Sequence, residues 1–461
     1  MNLPGKFTPI IFDFTSIKLD TSIFNQQKKL AAKIFKKGLR LQRPEHAIHN
    51  NVSRMGDLIT IGESSFTLVK GQKLWVFGSG KAAGRMARAL ETILSDIIYD
   101  GIVIVPQGSE IETKIIQTFE ASHPIPDDSS ETATLEMLAT MNEVQPNDVV
   151  IYLMSGGSSA LLCKPAEGLT IEEIQQTWQA LLKSGMSIQE MNTVRIHLSD
   201  IKGGQMLAHL QGVTIHNLLI SDVPDDDPEF IGSGPLVPTS KTFENAWHLI
   251  QKYALQSKLP YHVVTYLRSK AKRNERLTDF SGYSDCHTYM ISTARILAEE
   301  FARLGEKYEL NTWLAPSAYA NDARVAAREI SAKAIAVLAR DEEVAKPALL
   351  VFYGESTVKV TGKGKGGRNL EIALATAMAI EGQHHITMLS AGTDGKDGET
   401  NAAGAFCTSN TALIARKKDL APESFLKNND SFSFFEAMDD LLLTGPTGTN
   451  LMDVQLVFIA K

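Results

Sequence analysis

The chain has 461 residues, 43% of them hydrophobic and 21% charged, which is enough for two or three domains with large buried cores. A formal charge of −7 argues against a general nucleic-acid binder, and Cys163, Cys286 and Cys407 are too scattered for a disulfide framework or a zinc site. No apolar run approaches a membrane span and no basic segment leads into one at the start, so a reduced, cytoplasmic protein with no membrane partner is expected.

Pro4 and Pro9 break any helix over residues 1–20, where an irregular arm is expected. A helical pattern follows from Ser22 to Arg43, then HAIHNNV as a loop. Residues 74–80, LWVFGSG, read as a buried strand that turns through Gly78-Ser79-Gly80-Lys81 into the helical pattern AAGRMARALETIL. Lys81 stands at a helix start, from which a cation reaches a bound phosphate; a solvated surface lysine is the plain alternative. The loop is not a Walker A motif, because G-x-x-x-x-G-K-[ST] is absent. GIVIVPQG is a second strand, and SHPIPD a proline-set loop whose His123 reads as a loop anchor ahead of a base or ligand. After a helix (SSETATLEMLATM), the strand VVIYLM ends in Ser155-Gly156-Gly157-Ser158-Ser159. The G-x-S-x-G elbow of a nucleophile is missing there, and a nest of small hydroxyls and amides suits a carboxylate or phosphate better.

Thr170 to Glu173 spell a capping box, and Ile171, Ile174, Trp178, Leu181 and Leu182 recur at helical spacing as core. MNTVRIHLSDIKGGQMLAHL gathers Asn192, Arg195, His197, Ser199 and Lys202, more polar groups than a surface helix needs; Arg195 and Lys202 suit an acidic ligand. A strand at 218–220 ends at Asp222, placed for a metal or base role, while Asp225 to Asp227 read as a solvated acidic turn. From Lys241 to Leu304 the pattern is helical, including TYMISTARILAEEFARLG.

Residues 349–405 carry the densest signal. LLVFYGESTVKV reads as extended and breaks into Gly362-Lys363-Gly364-Lys365-Gly366-Gly367-Arg368-Asn369. A helix follows with Leu370, Ala373, Leu374, Ala377 and Met378 on one face, then the strand HHITMLS and the loop from Ala391 to Gly398. Strand, glycine-and-cation loop and helix start together make an anion site, since free backbone N–H groups point outward there. Carboxylates ending the next strand would hold a cation that bridges the same anion, which suggests phosphate with Mg²⁺. Gly362, Gly364 and Gly367 also fit G-x-G-x-x-G, but the acid at the next strand end, Asp394, lies about 30 residues on instead of about 20. Lys363, Lys365 and Arg368 favour a polyanion, so a nucleoside triphosphate is preferred. A loop of small polar residues from Thr444 to Asn450 and the strand VQLVFIA close the chain. Nearly every glycine loop follows a buried apolar run, which implies two α/β domains whose loops meet at a cleft beyond the strands' carboxyl ends.

GSGKAAGRMA, SHPIPD, SGGSSALL, NTVRIHLSDIKGG, ISDVP, DDPEFIGSGP, GKGGRNLE, SAGTDGKDG, NAAGA and GPTGTN, in that order, resemble the motifs of the class II glycerate kinase (glycerate 2-kinase, MOFRL) family. The likeness runs from about residue 22 to the C-terminus. It implies an N-terminal Rossmann-like α/β domain with a helical extension over residues 1–285, a C-terminal MOFRL α/β domain over residues 286–461, and an active site in the cleft between them. It also implies ATP- and Mg²⁺-dependent phosphorylation of D-glycerate to 2-phosphoglycerate. The family's proposed catalytic lysine falls on Lys81 and its arginine on Arg368. Asp394 would hold Mg²⁺ or orient the glycerate hydroxyl as base, with Asp222 a second candidate metal ligand. Substrate or phosphate contacts would come from Ser79, Gly80, Ser155, Gly156, Gly157, Ser158, Ser159, Arg195, Lys202, Gly366, Gly367 and Asn369. Ile196 stands where the family usually has lysine, Asp225 where glycine is usual, Asn401 for aspartate, and Leu370 and Met452 for glutamine and asparagine. The lost cation at Ile196 bears on substrate preference. Other readings are an NAD(P)H-dependent hydroxypyruvate reductase, a kinase of a related hydroxy acid, and a catalytically silent binding homologue; a homo-oligomer is compatible with each.

Overall fold

The computed structural model describes residues 23–223, 225–340, 344–383 and 385–460. The arm expected over residues 1–20 lies outside them. The chain divides into two compact units, one of Pro44–Ser292 and one that joins the residues up to Arg43 to those from Thr293 onward. Among the described residues no helix is long and apolar enough to cross a membrane.

Besides a small antiparallel sheet of Val52–Met55, Leu58–Ile61 and Ser64–Thr67, the Pro44–Ser292 unit has a main sheet of six strands: β1 (Leu74–Ser79), β2 (Ile98–Pro106), β3 (Gln117–Ala121), β4 (Val149–Met154), β5 (Thr214–Ile220) and β6 (Asp285–Ser292). All pairings of the main sheet are parallel and the spatial order is β3-β2-β1-β4-β5-β6. Central strands of such a sheet are covered on both faces and need unbroken apolar runs. β1 and β4 meet this requirement, being buried at every position. Strand order reverses between β1 and β4, so the loops leaving these two strands flank the crevice where ligands of doubly wound sheets sit. This is the Rossmann-like arrangement that the sequence led us to expect.

A second core in the same unit lies around Trp178, Phe243 and Leu267, between the helices Ile171–Leu182, Ile188–Ile196, Phe243–Lys252 and Tyr261–Lys272. Thr170 and Glu173 form the capping box read from sequence. Ile171, Ile174, Trp178 and Leu181 are buried, whereas Leu182 is 49% exposed at the rim. HAIHNNV is not a loop: with Pro44 as its first residue and Glu45 in its first turn, a helix spans Pro44–Asn51 and buries Ala47 and Ile48.

TYMISTARILAEEFARLG is not one helix either. Thr293 accepts a hydrogen bond from the Ile296 N–H (3.1 Å) and caps the helix Ala294–Glu306, while the residues before it form β6 against β5. The division between units therefore falls after Ser292, one strand later than the expected boundary at 285 and 286. The N-terminal helix Ile23–Leu41 belongs to the other unit.

That other unit contains β7 (Asn311–Leu314), β8 (Ala348–Gly354), β9 (Ile386–Gly392), β10 (Gly404–Thr408), β11 (Leu441–Leu442) and β12 (Asp453–Ile459), in the order β7-β8-β12-β9-β10-β11. β12 is buried throughout and antiparallel to both neighbours. It therefore begins where they end, with Asp453 paired to Gly354 and to Gly392. The extended run expected as far as Val360 stops at Gly354, whose φ of +151° and approach to the Tyr319 carbonyl leave no room for a Cβ. The helix Ile23–Leu41 lies on this unit through a Phe35–Phe301 ring contact at 6.1 Å, an ion pair between Lys28 and Asp440, and Gly38, where a Cβ would come within 2.3 Å of the Phe301 ring.

Candidate active site

In the Pro44–Ser292 unit the loops after β1 and β4 interlock. Gly80 has φ +126° and a Cβ there would stand 2.2 Å from Ser155 Oγ, so only glycine lets the loops meet. Lys81 N–H donates to the Gly156 carbonyl (2.9 Å) and Ala82 N–H to Ser155 Oγ (2.9 Å). Ser79 Oγ donates to Ser158 Oγ (2.8 Å), which donates to the Ser79 carbonyl (2.7 Å). Ser79, Ser155 and Ser158 are buried, so these three hydroxyls, expected to touch a ligand, instead join one loop to the other.

What the loops present is Lys81, which is exposed, above the Gly156-Gly157 pair. A Cβ on Gly157 would lie 3.2 Å from both Lys81 Cγ and His123 Cδ2, and one on Gly156 would lie 1.9 Å from Asp222 Oδ2. Lys81, His123 and Asp222 thus surround two glycines at the ends of parallel strands. His123, read from sequence as a loop anchor, stands beside Lys81. Burial, and then the charge of Lys81, push its imidazole down to about 4, so it is neutral at physiological pH.

Behind this loop, Ser159 Oγ bonds Ser233 Oγ (2.8 Å), and Ser233 donates to Asn192 Oδ1 (3.4 Å). Arg195 Nη1 donates to the same Asn192 oxygen at 3.5 Å. Lys202 is fully buried and donates to the Leu162 carbonyl (2.5 Å) just beyond the short helix Ser158–Leu161. That bond answers a helix-end carbonyl and gives Lys202 a structural role in place of the expected ligand contact.

In the second unit the glycine-and-cation loop differs from expectation. The Thr361 and Gly362 N–H groups donate to Asn429 Oδ1 (2.8 and 2.9 Å), Lys363 N–H to Asn428 Oδ1 (3.1 Å) and Lys365 N–H to Asp430 Oδ1 (3.0 Å). Donors expected to face a ligand are turned toward residues 428–430. At the start of the helix Arg368–Ala379, Asp397 accepts from the Asn369 (3.0 Å) and Leu370 (2.8 Å) N–H groups. A carboxylate therefore fills the place foreseen for a phosphate. Asn369 is fully buried against Ser390 and Asp397, and Cβ atoms on Gly366 and Gly367 would run into Ser431 and Asp397 at 2.5 and 2.4 Å. Asn369 is thus committed to the interior, whereas Gly366 and Gly367 lie on the wall of the cavity beside Arg368.

Arg368, the first residue of that helix, is clamped. Its Nε and Nη2 donate to Asp453 (2.5 and 3.1 Å) and its Nη1 pairs with Glu355 (2.8 Å). A cation at a helix N-terminus meets an unfavourable dipole, which these carboxylates offset. Against its own burial, Asp453 and Glu355 raise the Arg368 pKa and keep the guanidinium charged. Burial pushes the Asp453 carboxyl up to about 7, against the pull of Arg368. If ionised Asp453 is what aims Arg368, kcat/KM should fall as pH drops through about 7. The Asp453→Asn variant should be slower and lose that acid limb; an unchanged limb in a pH–rate profile would remove Asp453 from this role.

Asp394 is exposed at the end of β9 and accepts the Lys396 N–H (3.0 Å) across its own turn. Among the described residues, neither Asp394 nor Asp222 joins a group of three or more His, Cys, Asp or Glu suited to a metal. Magnesium does not require one, since it takes one or two carboxylates together with substrate phosphates. A cavity of about 860 Å³ lies beside Arg368, lined by Thr357, Lys363, Lys365, Glu371 and Glu399 among others. Sequence reasoning missed Glu355, Asp397 and Asp453. Asp453 had one signal, an acid placed at the mouth of the last buried strand.

Residues 348–453 match the MOFRL family, and residues 30–268 match the family described as Domain of unknown function (DUF4147). The fold and these segments together define a two-unit α/β protein of the MOFRL class. The chain is 35% identical to the D-glycerate 2-kinase of Thermotoga maritima over 429 residues, covering 93% of this chain and 97% of that one. It is 34% identical to the glycerate 2-kinase of Pyrococcus horikoshii, over 94% and 98% of the two chains. The crystal structure of the Thermotoga maritima glycerate kinase superposes with a TM-score of 0.81 at 34% identity, over 94% of this chain and all of that one. The chain belongs to the glycerate kinase family.

Proposed function

We propose that this chain transfers the terminal phosphoryl group of ATP to D-glycerate, giving 2-phosphoglycerate and ADP. The observation that carries the reading is its 35% identity, over nearly the whole of both chains, to a D-glycerate 2-kinase. Phosphoryl transfer asks a protein mainly to position its reactants and to stabilise charge on the phosphoryl oxygens. Lys81 is an exposed cation at a helix start, and Arg368 is a guanidinium whose direction is set by two carboxylates; each supplies charge to the transferring group. The cavity beside Arg368 has the size of a nucleotide site and two lysines on its wall. Asp394 would take Mg²⁺ held by the ATP phosphates, or orient the attacking hydroxyl, and its exposure at a strand end supports either use.

The deciding experiment measures ADP release with ATP, Mg²⁺ and D-glycerate, beside NADH-dependent reduction of hydroxypyruvate. ADP release that requires glycerate, with no NADH oxidation, is the expected result. NADH consumption without any ADP release would overturn the kinase assignment.

A further inference from the structure

Arg195 is a cation buried without an anion. It is 6% exposed, its Nε has no hydrogen-bond partner, and among the described residues no carboxylate lies within ion-pairing distance of its guanidinium. Its one side-chain hydrogen bond, to Asn192, is long at 3.5 Å. Its face rests on the Trp178 ring, 4.9 Å from the centroid, which holds the planar group in place but leaves its Nε–H unanswered. A buried guanidinium in this state carries a desolvation cost that a scaffold does not need.

The surroundings show what would answer it. Asn192, which accepts from Arg195, also accepts from Ser233, and Ser233 is bonded to Ser159. Ser159 is half-buried and follows the Gly156-Gly157 pair beside Lys81, so this polar chain leads from the buried guanidinium to the crevice between β1 and β4. We infer that Arg195, with Asn192, Ser159 and Ser233, forms a subsite for the carboxylate of a small hydroxy acid. A guanidinium edge matches a carboxylate in two parallel hydrogen bonds, and neutral hydroxyl and amide neighbours suit a monoanion better than a phosphate dianion. Lys202, a further buried cation that feels the charge of Arg195, is already committed to the Leu162 carbonyl. The subsite deepens the kinase reading and depends on it for the identity of the acid.

The test compares wild type with Arg195→Met, which keeps a stem on Trp178, and with Ser233→Ala. Two quantities are read: KM for D-glycerate and for ATP, and the shift in Tm caused by D-glycerate, by glycerol and by inorganic phosphate. Arg195→Met is expected to raise the glycerate KM about 30-fold or more, leave the ATP KM within about twofold, and abolish the Tm shift with glycerate. Ser233→Ala should raise the same KM about fivefold, and it carries the test if Arg195→Met does not fold. Glycerol, which has the hydroxyls without the carboxylate, should shift none of the three proteins. An unchanged glycerate KM in both variants, or a phosphate shift that alone depends on Arg195, would overturn the subsite. Loss of stability with all kinetic constants moving together would make Arg195 a scaffold residue and overturn it equally. If wild type releases no ADP with glycerate while other small carboxylates still give an Arg195-dependent Tm shift, the substrate assignment fails and the subsite stands.

Discussion

Arg368→Ala should lower kcat by about 10²- to 10³-fold, the scale of losing one donor to a developing oxyanion. Arg368→Lys should recover little, because an ammonium cannot reproduce the fork that Asp453 and Glu355 now hold in two directions. The alanine variant should also be less stable. Asp453 has a fully buried side chain, and breaking such a pair costs on the order of 3 kcal/mol, less here because the Arg368 side chain is 34% exposed. The sign of the pH effect follows from the raised Asp453 carboxyl. The unfolded chain releases this proton at an ordinary carboxylate pKa while the folded protein retains it, so stability falls as pH rises between the two values. Without Arg368 to pull the folded value down, the fall should continue to higher pH. Melting curves from pH 5 to 8 should therefore diverge from wild type as pH rises. Curves that stay parallel, with kcat intact, would count against both roles of the residue.

Lys81→Ala is the complementary case, with a similar expected loss in kcat of about 10²-fold or more but little change in Tm. Lys81 is exposed, and its interlocking bond to Gly156 runs through the backbone, which the substitution keeps. Burial, the main cause of the lowered His123 pKa, is kept in the variant, but the added push from the Lys81 charge is removed, so the imidazole should titrate somewhat closer to its ordinary value, a shift that NMR can follow. Turnover near wild type would exclude Lys81 from the transfer step.

The parts legible in the sequence were those whose physics is local. β1 and β4 sit between covering layers, which forces unbroken apolar runs, and the turns that leave them need glycine at Gly80 and Gly157. Lys81 followed from its place after such a turn. The use to which each polar group is put was not legible, because the partners come from far along the chain. The N–H groups of residues 361–365 are answered by residues 428–430, and Asp453 reaches Arg368 only because β12 runs antiparallel between β8 and β9. Two departures from the family pattern gain a physical setting. Ile196 is fully buried against Gly203, so this chain has an interior apolar group where a cation is usual. Met452 adopts φ +60°, a conformation that asparagine, the family's usual residue there, accepts more readily.

The helix Ile23–Leu41 has a consequence for biosynthesis. It leaves the ribosome early, yet Phe301 and Asp440, which meet Phe35 and Lys28, are made hundreds of residues later. The intervening Pro44–Ser292 unit has every strand of its own sheet before Thr293 emerges and can close first. Throughout that interval the amphipathic helix has its apolar side uncovered, which makes it a natural client for a holding chaperone. It also means that a fragment starting at Thr293 would lack a wall of its own core and should aggregate, whereas a fragment of residues 44–292, freed of that helix, should fold by itself.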